Sequence, residues 1–368
     1  MISRRHISGT LRATLCAAML FAAASVTQAQ SHARLQAQPQ AQSQTQPQTP
    51  APNLAEDHPP VWVARSPGHP TLILLPTIHA LASDDPRVNA ALASIANGVQ
   101  AIVLETHTRP TPEDTQTVRR IGFYPANDNL TNHVSSMTAE SLARCARDSG
   151  ADIHAFFQTK PWLAGFAVQA VRLHQWRWAS DGAKHVRFVR TASPLVFPGI
   201  DERLEMLAHG RQIPLIYLET MEQGMQLFDD MPAADQEAFL AGVCAGLRGV
   251  KTPGEVSYES FQAAWASGDV AALEHLANAR YPGESDAHYD FSQYLFARGT
   301  DIFAATLAQD GYFYGKGPIL VAVGAGHFFG ERSLLEHLRE AGYTITPPAS
   351  APAAAPQPAS PLHEVAAR

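Results

Sequence analysis

Residues 319–327 read ILVAVGAGH, and residues 71–79 read TLILLPTIH. Each opens with a short apolar run and reaches a histidine four residues after that run ends, at His327 and at His79. Runs this short and this continuously apolar read as strands buried on both faces rather than strands with one wet side. Two further runs end directly on an acid: Ala101-Ile102-Val103-Leu104 before Glu105, and Pro214-Leu215-Ile216-Tyr217-Leu218 before Glu219. Helical periodicity fills the spaces between them, so the fold class is α/β, a central mostly parallel or mixed sheet covered by helices. The order His, Glu, Glu, His further suggests two related halves with a helical middle insertion.

Working outward, residues 61–65 and 71–75 flank Ser66-Pro67-Gly68-His69-Pro70, a turn by composition, and read as a hairpin. A helix is expected at 85–97, with Pro86 in its first turn and Val88, Leu92, Ile95 and Val99 on one face. The middle, 113–197, reads as mostly helical, with Trp162, Trp176 and Trp178 as large apolar anchors. Further helices are expected at 233–247, 258–265, 270–279, 288–309 and 332–341, and a last short strand at 343–345.

The chain has 368 residues, 45% hydrophobic and only 17% charged, a charged share lowered by its two ends. Residues 1–29 carry Arg4 and Arg5, a weakly polar stretch from 13 to 26, and the small-x-small site Thr27-Gln28-Ala29, the layout of a cleaved signal peptide. Ser3-Arg4-Arg5-His6-Ile7 also resembles a twin-arginine signal, although Ser8 departs from it. Residues 30–53 are Gln, Pro, Ala, Ser and Thr with almost no large apolar side chain, and are expected to be a disordered linker. The α/β domain is expected over 54–346, and a disordered Pro/Ala-rich tail over 347–368. This organisation implies a periplasmic or secreted protein.

Net charge is −7, from 27 Lys plus Arg against 34 Asp plus Glu, so no basic field exists to hold nucleic acid. No apolar run after residue 30 approaches the roughly 20 residues a membrane span needs. Cys16 lies in the leader, which leaves Cys145 and Cys244 in the mature chain; in an oxidising compartment they could form a disulfide, or be two small buried residues that never meet. Neither a CxxC pair nor a Cys/His ladder of the zinc-finger type occurs.

Ligands of open α/β sheets bind outside the carboxyl ends of the strands. His79, Glu105, Glu219 and His327 all fall there. Imidazole nitrogen and carboxylate oxygen together suit a divalent transition metal such as zinc, manganese, iron or cobalt. His327 sits among three glycines in Gly324-Ala325-Gly326-His327-Phe328-Phe329-Gly330, and glycine serves where backbone must approach something closely. The competing reading, a phosphate-binding glycine loop, lacks the third glycine at the usual spacing and the downstream acid. Glu219 has an alternative as well, capping the helix of Thr220-Met221-Glu222-Gln223. No GxSxG elbow and no P-loop occurs.

The motifs Leu75-Pro76-Thr77-Ile78-His79, Val103-Leu104-Glu105, Lys160-Pro161-Trp162-Leu163, Gly199-Ile200-Asp201, Leu218-Glu219-Thr220-Met221-Glu222-Gln223, Trp265-Ala266-Ser267-Gly268-Asp269 and Val323-Gly324-Ala325-Gly326-His327 appear in the order and spacing of the TraB/GumN family, which the chain resembles over about residues 59 to 346. That family includes the Tiki metalloproteases. The resemblance implies an α/β fold similar to the Tiki, erythromycin-esterase-like and ChaN-like proteins, and a site of His79, Glu105 and His327. It implies manganese or cobalt as the cofactor and a peptide or protein as the substrate. Arg298 is retained from the family pattern as a substrate-side residue. Pro76 stands where the family has glycine, and Gly299 where it usually shows asparagine.

Three functions are open at this stage. The first is a metal-dependent, peptidase-like hydrolase with His79 and His327 as ligands and Glu105 as third ligand or general base. A metal-free, esterase-like hydrolase with a His/Glu base is the second. The third is a non-catalytic envelope protein that binds a ligand or partner in the same crevice. The leader yields the first prediction: protein recovered from the cell envelope begins at Gln30 by mass spectrometry, and an intact Met1 terminus in the cytoplasm would refute export.

Overall fold

The computed structural model describes residues 58–108, 111–148, 152–173, 176–180, 186–190, 197–246, 258–279, 286–308 and 317–348. The expected leader, the Gln/Pro-rich linker and residues 349–368 of the expected tail lie outside the described residues.

The chain opens with the expected hairpin, β1 (Trp62–Arg65) and β2 (Leu72–Thr77), paired antiparallel with Val63 opposite Ile73. A two-residue strand, β3 (Ala80–Leu81), follows, and then α1 (Pro86–Ile95), whose N-cap Asp85 accepts from Arg87 N–H just before Pro86 takes the first helical position. Next come β4 (Ala101–Leu104) and α2 (Pro112–Gly122), whose start is closed by a reciprocal capping box between Thr111 and Asp114. The helices α3 (Ser136–Asp148) and α4 (Pro161–Leu173) bear out a helical middle only in part. Two further strands, β5 (Trp176–Ser180) and β6 (Val186–Arg190), pair antiparallel with Trp178 opposite Phe188. Trp176 and Trp178 are therefore strand residues and not helix anchors. The alternation in WRWAS and VRFVR carries the period of two that a strand requires.

The chain continues through β7 (Phe197–Pro198), α5 (Ile200–Arg211), β8 (Leu215–Tyr217) and α6 (Met221–Asp229). Four more helices follow: α7 (Ala233–Gly246), α8 (Tyr258–Ser267), α9 (Val270–Ala277) and α10 (Asp286–Leu307). The chain then enters β9 (Ile319–Gly324), a tight turn at Ala325–Phe328, α11 (Leu334–Glu340) and β10 (Thr344–Thr346). The last helix starts later than its apolar pattern suggests, because Arg332 takes a left-handed φ of 64° and Ser333 is the N-cap.

Six strands form one sheet in the order β10-β1-β2-β9-β4-β8. The four from β2 to β8 are parallel, and β1 and β10 extend the β2 edge antiparallel. Alternation along the strands sends side chains into two different clusters. Leu75, Ile102, Leu104, Leu320 and Ala322 meet helices α1, α5, α8 and α9 through Val88, Leu204, Trp265 and Leu273. Leu72, Leu74, Val103, Val321 and Val323 face the opposite way, onto Phe303 of α10, Phe328 and Leu335 of α11. Both faces of the sheet are thus covered, which is why its strands lack polar alternation. The sequence-order halves interleave, since β9 from the end of the domain lies between β2 and β4.

A separate helical cluster unites α3, α4 and α7, and both Cys145 and Cys244 are buried thiols within it. No helix among the described residues is long and apolar enough to cross a membrane. Leu320 is fully buried at the middle of the sheet, so Leu320→Ala should lower the unfolding free energy by about 2 to 5 kcal/mol. Met137→Ala, at a side chain 74% exposed, should cost less than about 0.5 kcal/mol in the same urea titration.

Candidate functional site

Because β2, β9, β4 and β8 are parallel, all four carboxyl ends open on one edge of the sheet, and His79, His327, Glu105 and Glu219 leave from them. Register makes neighbours of three ends: Thr77 pairs with Gly324, and Leu104 with Ala322.

His79 is held from behind. Backbone at the end of β2 is crossed by β7 and the start of α5, where Ile200 N–H donates to Ile78 C=O at 2.9 Å. Gly199 permits that crossing, since a Cβ there would fall 2.3 Å from the His79 carbonyl carbon. The approach brings Asp201, in the first turn of α5, within reach of two donors. Thr77 Oγ1 donates to Asp201 Oδ1 at 2.7 Å, and His79 Nδ1 lies 2.9 Å from Oδ2. Burial alone would raise the Asp201 pKa, but the His79 charge and these hydrogen bonds outweigh it, and the carboxyl is held below its usual range. An ionised Asp201 accepts from Nδ1–H, so Nε2 of His79 faces the crevice.

His327 is held in a different way. Thr300 on α10 donates its one hydroxyl proton to Phe296 C=O at 2.6 Å, and its oxygen lies 2.8 Å from His327 Nδ1. With the hydroxyl proton already used, Nδ1–H must be the donor, and Nε2 of His327 carries the lone pair. The ring is boxed edge-on by Phe296, with centroids 5.3 Å apart, and by Phe303 at 4.7 Å. Gly299 completes the seat, because a Cβ there would lie 2.9 Å from His327 Cε1. The imidazole thus fills the space beside position 299 where the family usually shows asparagine.

Glu105 lies between the two rings. Its Oε2 is 3.7 Å from His79 Nε2 and its Oε1 is 3.6 Å from His327 Nε2. Gly324 N–H donates to Oε1 at 2.5 Å, and the Glu105 carbonyl accepts from Leu218 N–H and Glu219 N–H. Gly324 is the point where the parts meet: a Cβ on it would be 3.1 Å from Glu105 Oε1, 3.3 Å from His79 Nε2 and 3.6 Å from His327 Cδ2.

The two imidazoles are not equivalent. Asp201, opposed by desolvation and helped by Glu105, raises the pKa of His79, a direction that holds although 67% of the side chain's surface meets water and screens it. Burial lowers the pKa of His327, with Glu105 opposing, and this ring is neutral at pH 7. Glu219 is pushed up to about 8 by burial and then by the charge of Glu105, so it carries a proton at neutral pH. It does not cap the following helix; Thr220 is the N-cap, in a reciprocal box with Gln223. Gly224 leaves room for the acid, as a Cβ there would be 3.0 Å from Glu219 Oε1.

Pro76 costs the sheet nothing visible. The Pro76 C=O accepts from Trp265 Nε1 at 2.9 Å, and a strand residue's N–H and C=O share one side, so the missing donor points away from β9. On that side β1 pairs only as far as Leu74. Arg298 is more than half exposed, 3.7 Å from Asp301 on its own helix, and lines neither cavity at the site.

Sequence reading brought His79, Glu105, His327 and Glu219 to one edge, and the structure joins them there. Thr77, Asp201 and Thr300 were missed in their roles. An acid directly after Gly199-Ile200 at a helix start was the available signal for Asp201; nothing marked Thr300.

Fold and site together define an α/β protein with a His/Glu/His centre at the carboxyl ends of adjacent parallel strands. The chain belongs to the TraB/PrgY/gumN family, whose profile matches residues 60–347. No curated protein and no solved structure matches it.

Glu219 provides a pH test on chelator-treated protein. Unfolding returns its pKa from about 8 to the ordinary 4.5, so between those values the folded chain holds the proton more tightly, and stability from this group falls as pH rises. Glu219→Gln should therefore raise the melting temperature relative to the parent at pH 9 and not at pH 5. Equal shifts at both values would contradict a buried, protonated Glu219.

Proposed function

We propose that the chain is an exported, divalent-cation-dependent hydrolase of peptide bonds, with His79, Glu105 and His327 as its acting set. The observation that supports this most is convergence: two Nε2 atoms face the two oxygens of one carboxylate, and each ring is tied down through Nδ1. The donor set suits manganese, cobalt or zinc. Hydrogen bonds from Nδ1 to Asp201 and Thr300 are what metal-bound imidazoles use to fix tautomer and direction. Separations of 3.6 and 3.7 Å are a few tenths of an ångström wider than two ligands of one ion adopt when each bond is about 2 Å. No group of three His, Cys, Asp or Glu among the described residues already closes on one ion, so the rings would have to draw in slightly. The resemblance to a family that includes the Tiki metalloproteases points to the peptide bond.

When bound, the cation supplies Lewis acidity toward the scissile carbonyl and a lowered pKa for water. The chain's own groups do the rest. His327 presents its Nε2 lone pair without losing a proton, whereas His79 must release one, which makes cation affinity fall at low pH. With Glu105 as general base rather than third ligand, Gly324 N–H holds its Oε1 in place and leaves Oε2 to accept a proton from the attacking water. The water oxygen joins the acyl carbon as the C–N bond breaks, and Glu105 Oε2 returns the proton to the departing amine.

A second reading drops the cation, and the charge of Asp201, which keeps a proton on His79, favours it. A protonated His79 would then polarise the carbonyl while Glu105 alone deprotonates water. Metal analysis separates the two. The expected result is one divalent ion per mature chain, lost in His79→Ala and His327→Ala, and activity abolished by a chelator. Asp201→Asn, which leaves the ligands in place, should reduce cation affinity or turnover about 10- to 100-fold. Full activity in chelated protein would overturn the metal.

A further inference from the structure

We propose that the cavity opening beside His79 is the subsite for one large apolar side chain of the substrate, adjacent to the bond that is cut. This rests on the hydrolase reading above and adds a substrate class to it. The cavity measures about 360 Å³ and lies between the ends of β2 and β9 and the helices α8, α9 and α10. Ile78, Phe261, Leu276, Leu295 and Phe296 line it, and among its described lining residues His79 is the one side chain that can carry charge at neutral pH.

Chemistry and position point the same way. Among the described residues, a charged side chain entering here would leave water and meet no counter-charge other than the imidazole already engaged by Asp201. An aromatic or branched aliphatic group would exchange water for a lining that is mostly carbon, with Thr77, Tyr258, Tyr289 and Gln293 as its uncharged polar groups, the favourable direction of transfer. The volume lies at the small end of ligand sites, which run from about 300 to 1,000 Å³. That suits one side chain and leaves no room for a folded segment. The groups that could select charge, Glu331 and Arg332, line a second cavity of about 320 Å³ that shares Phe296 with the first, and Arg332 is committed to Asp301.

Gly324 connects the cavity to the reacting groups. It lines the cavity, and it is also the residue whose absent Cβ would touch Glu105 Oε1 and His79 Nε2. A side chain seated against Phe261 and Leu276 therefore has its own backbone at the mouth, beside His79 and Glu105. Phe296, edge-on to His327 and packed on Gly326, is wall to both.

The test uses the full mature chain carrying Glu105→Gln, so that nothing is consumed, and three blocked tripeptides with Phe, Gly or Asp between two alanines. Calorimetry should show the Phe peptide binding at least tenfold more tightly than the Gly and Asp peptides. Ala277→Trp, which points bulk into the cavity from the end of α9, should erase that preference with the melting temperature unchanged. Ala279→Trp serves if the first variant does not fold. Equal binding of the three peptides, or a preference that survives the filled cavity, overturns the subsite. A cleavage screen with the unmodified site separates this from the hydrolase reading. Cleavage without preference for a large apolar residue beside the cut removes the subsite and keeps the hydrolase. Preferential binding with no cleavage of any peptide keeps the apolar site and removes the hydrolase.

Discussion

The site depends on one pairing, the seating of β9 between β2 and β4, parallel to both. Neighbouring strands are only about 4.8 Å apart, so residues leaving three adjacent ends at one level need no long loops to meet. The same pairing aims Gly324 N–H at Glu105. A slip of β9 by one residue would move Val321 from one cluster to the other and carry that donor away from the carboxylate. Core packing and site geometry are therefore enforced by the same register.

The two histidines then differ because different neighbours hold them. His79 leans on a buried aspartate and stays largely in water; His327 leans on a hydroxyl and is walled by aromatic rings. A carboxylate between an imidazole that favours its proton and one that resists it is an uneven environment. Such unevenness lets one group give up a proton while another keeps a lone pair ready.

Much of this was legible in the sequence, and for local reasons. The lengths of the runs at 71–75, 101–104 and 319–323 mark buried strands, and a residue's offset from a strand end is a local quantity. That is why His79, Glu105, Glu219 and His327 could be brought to one edge of a sheet. The supports were not legible, because Asp201 lies 122 residues from His79 and works only through the Gly199 crossing. Thr300 is one threonine in a long helix, and only the distance to His327 gives it a role. At residues 176–180 and 186–190 the density of tryptophan and arginine hid a period of two. Glu219 was open to a capping role until Thr220 proved to hold it.

The crossing at Gly199 and the seating of β9 also bear on when such a centre can exist. Its parts come from residues 77–79, 105, 199–201, 300 and 324–327, so only a stretch running from 77 to 327 contains them all. β9 comes after both of its neighbours in the chain and must slide between them, and long-range parallel pairing of this kind is slow to form. An incompletely folded chain would therefore carry no assembled centre. The His/Glu/His arrangement exists only once the whole domain has closed.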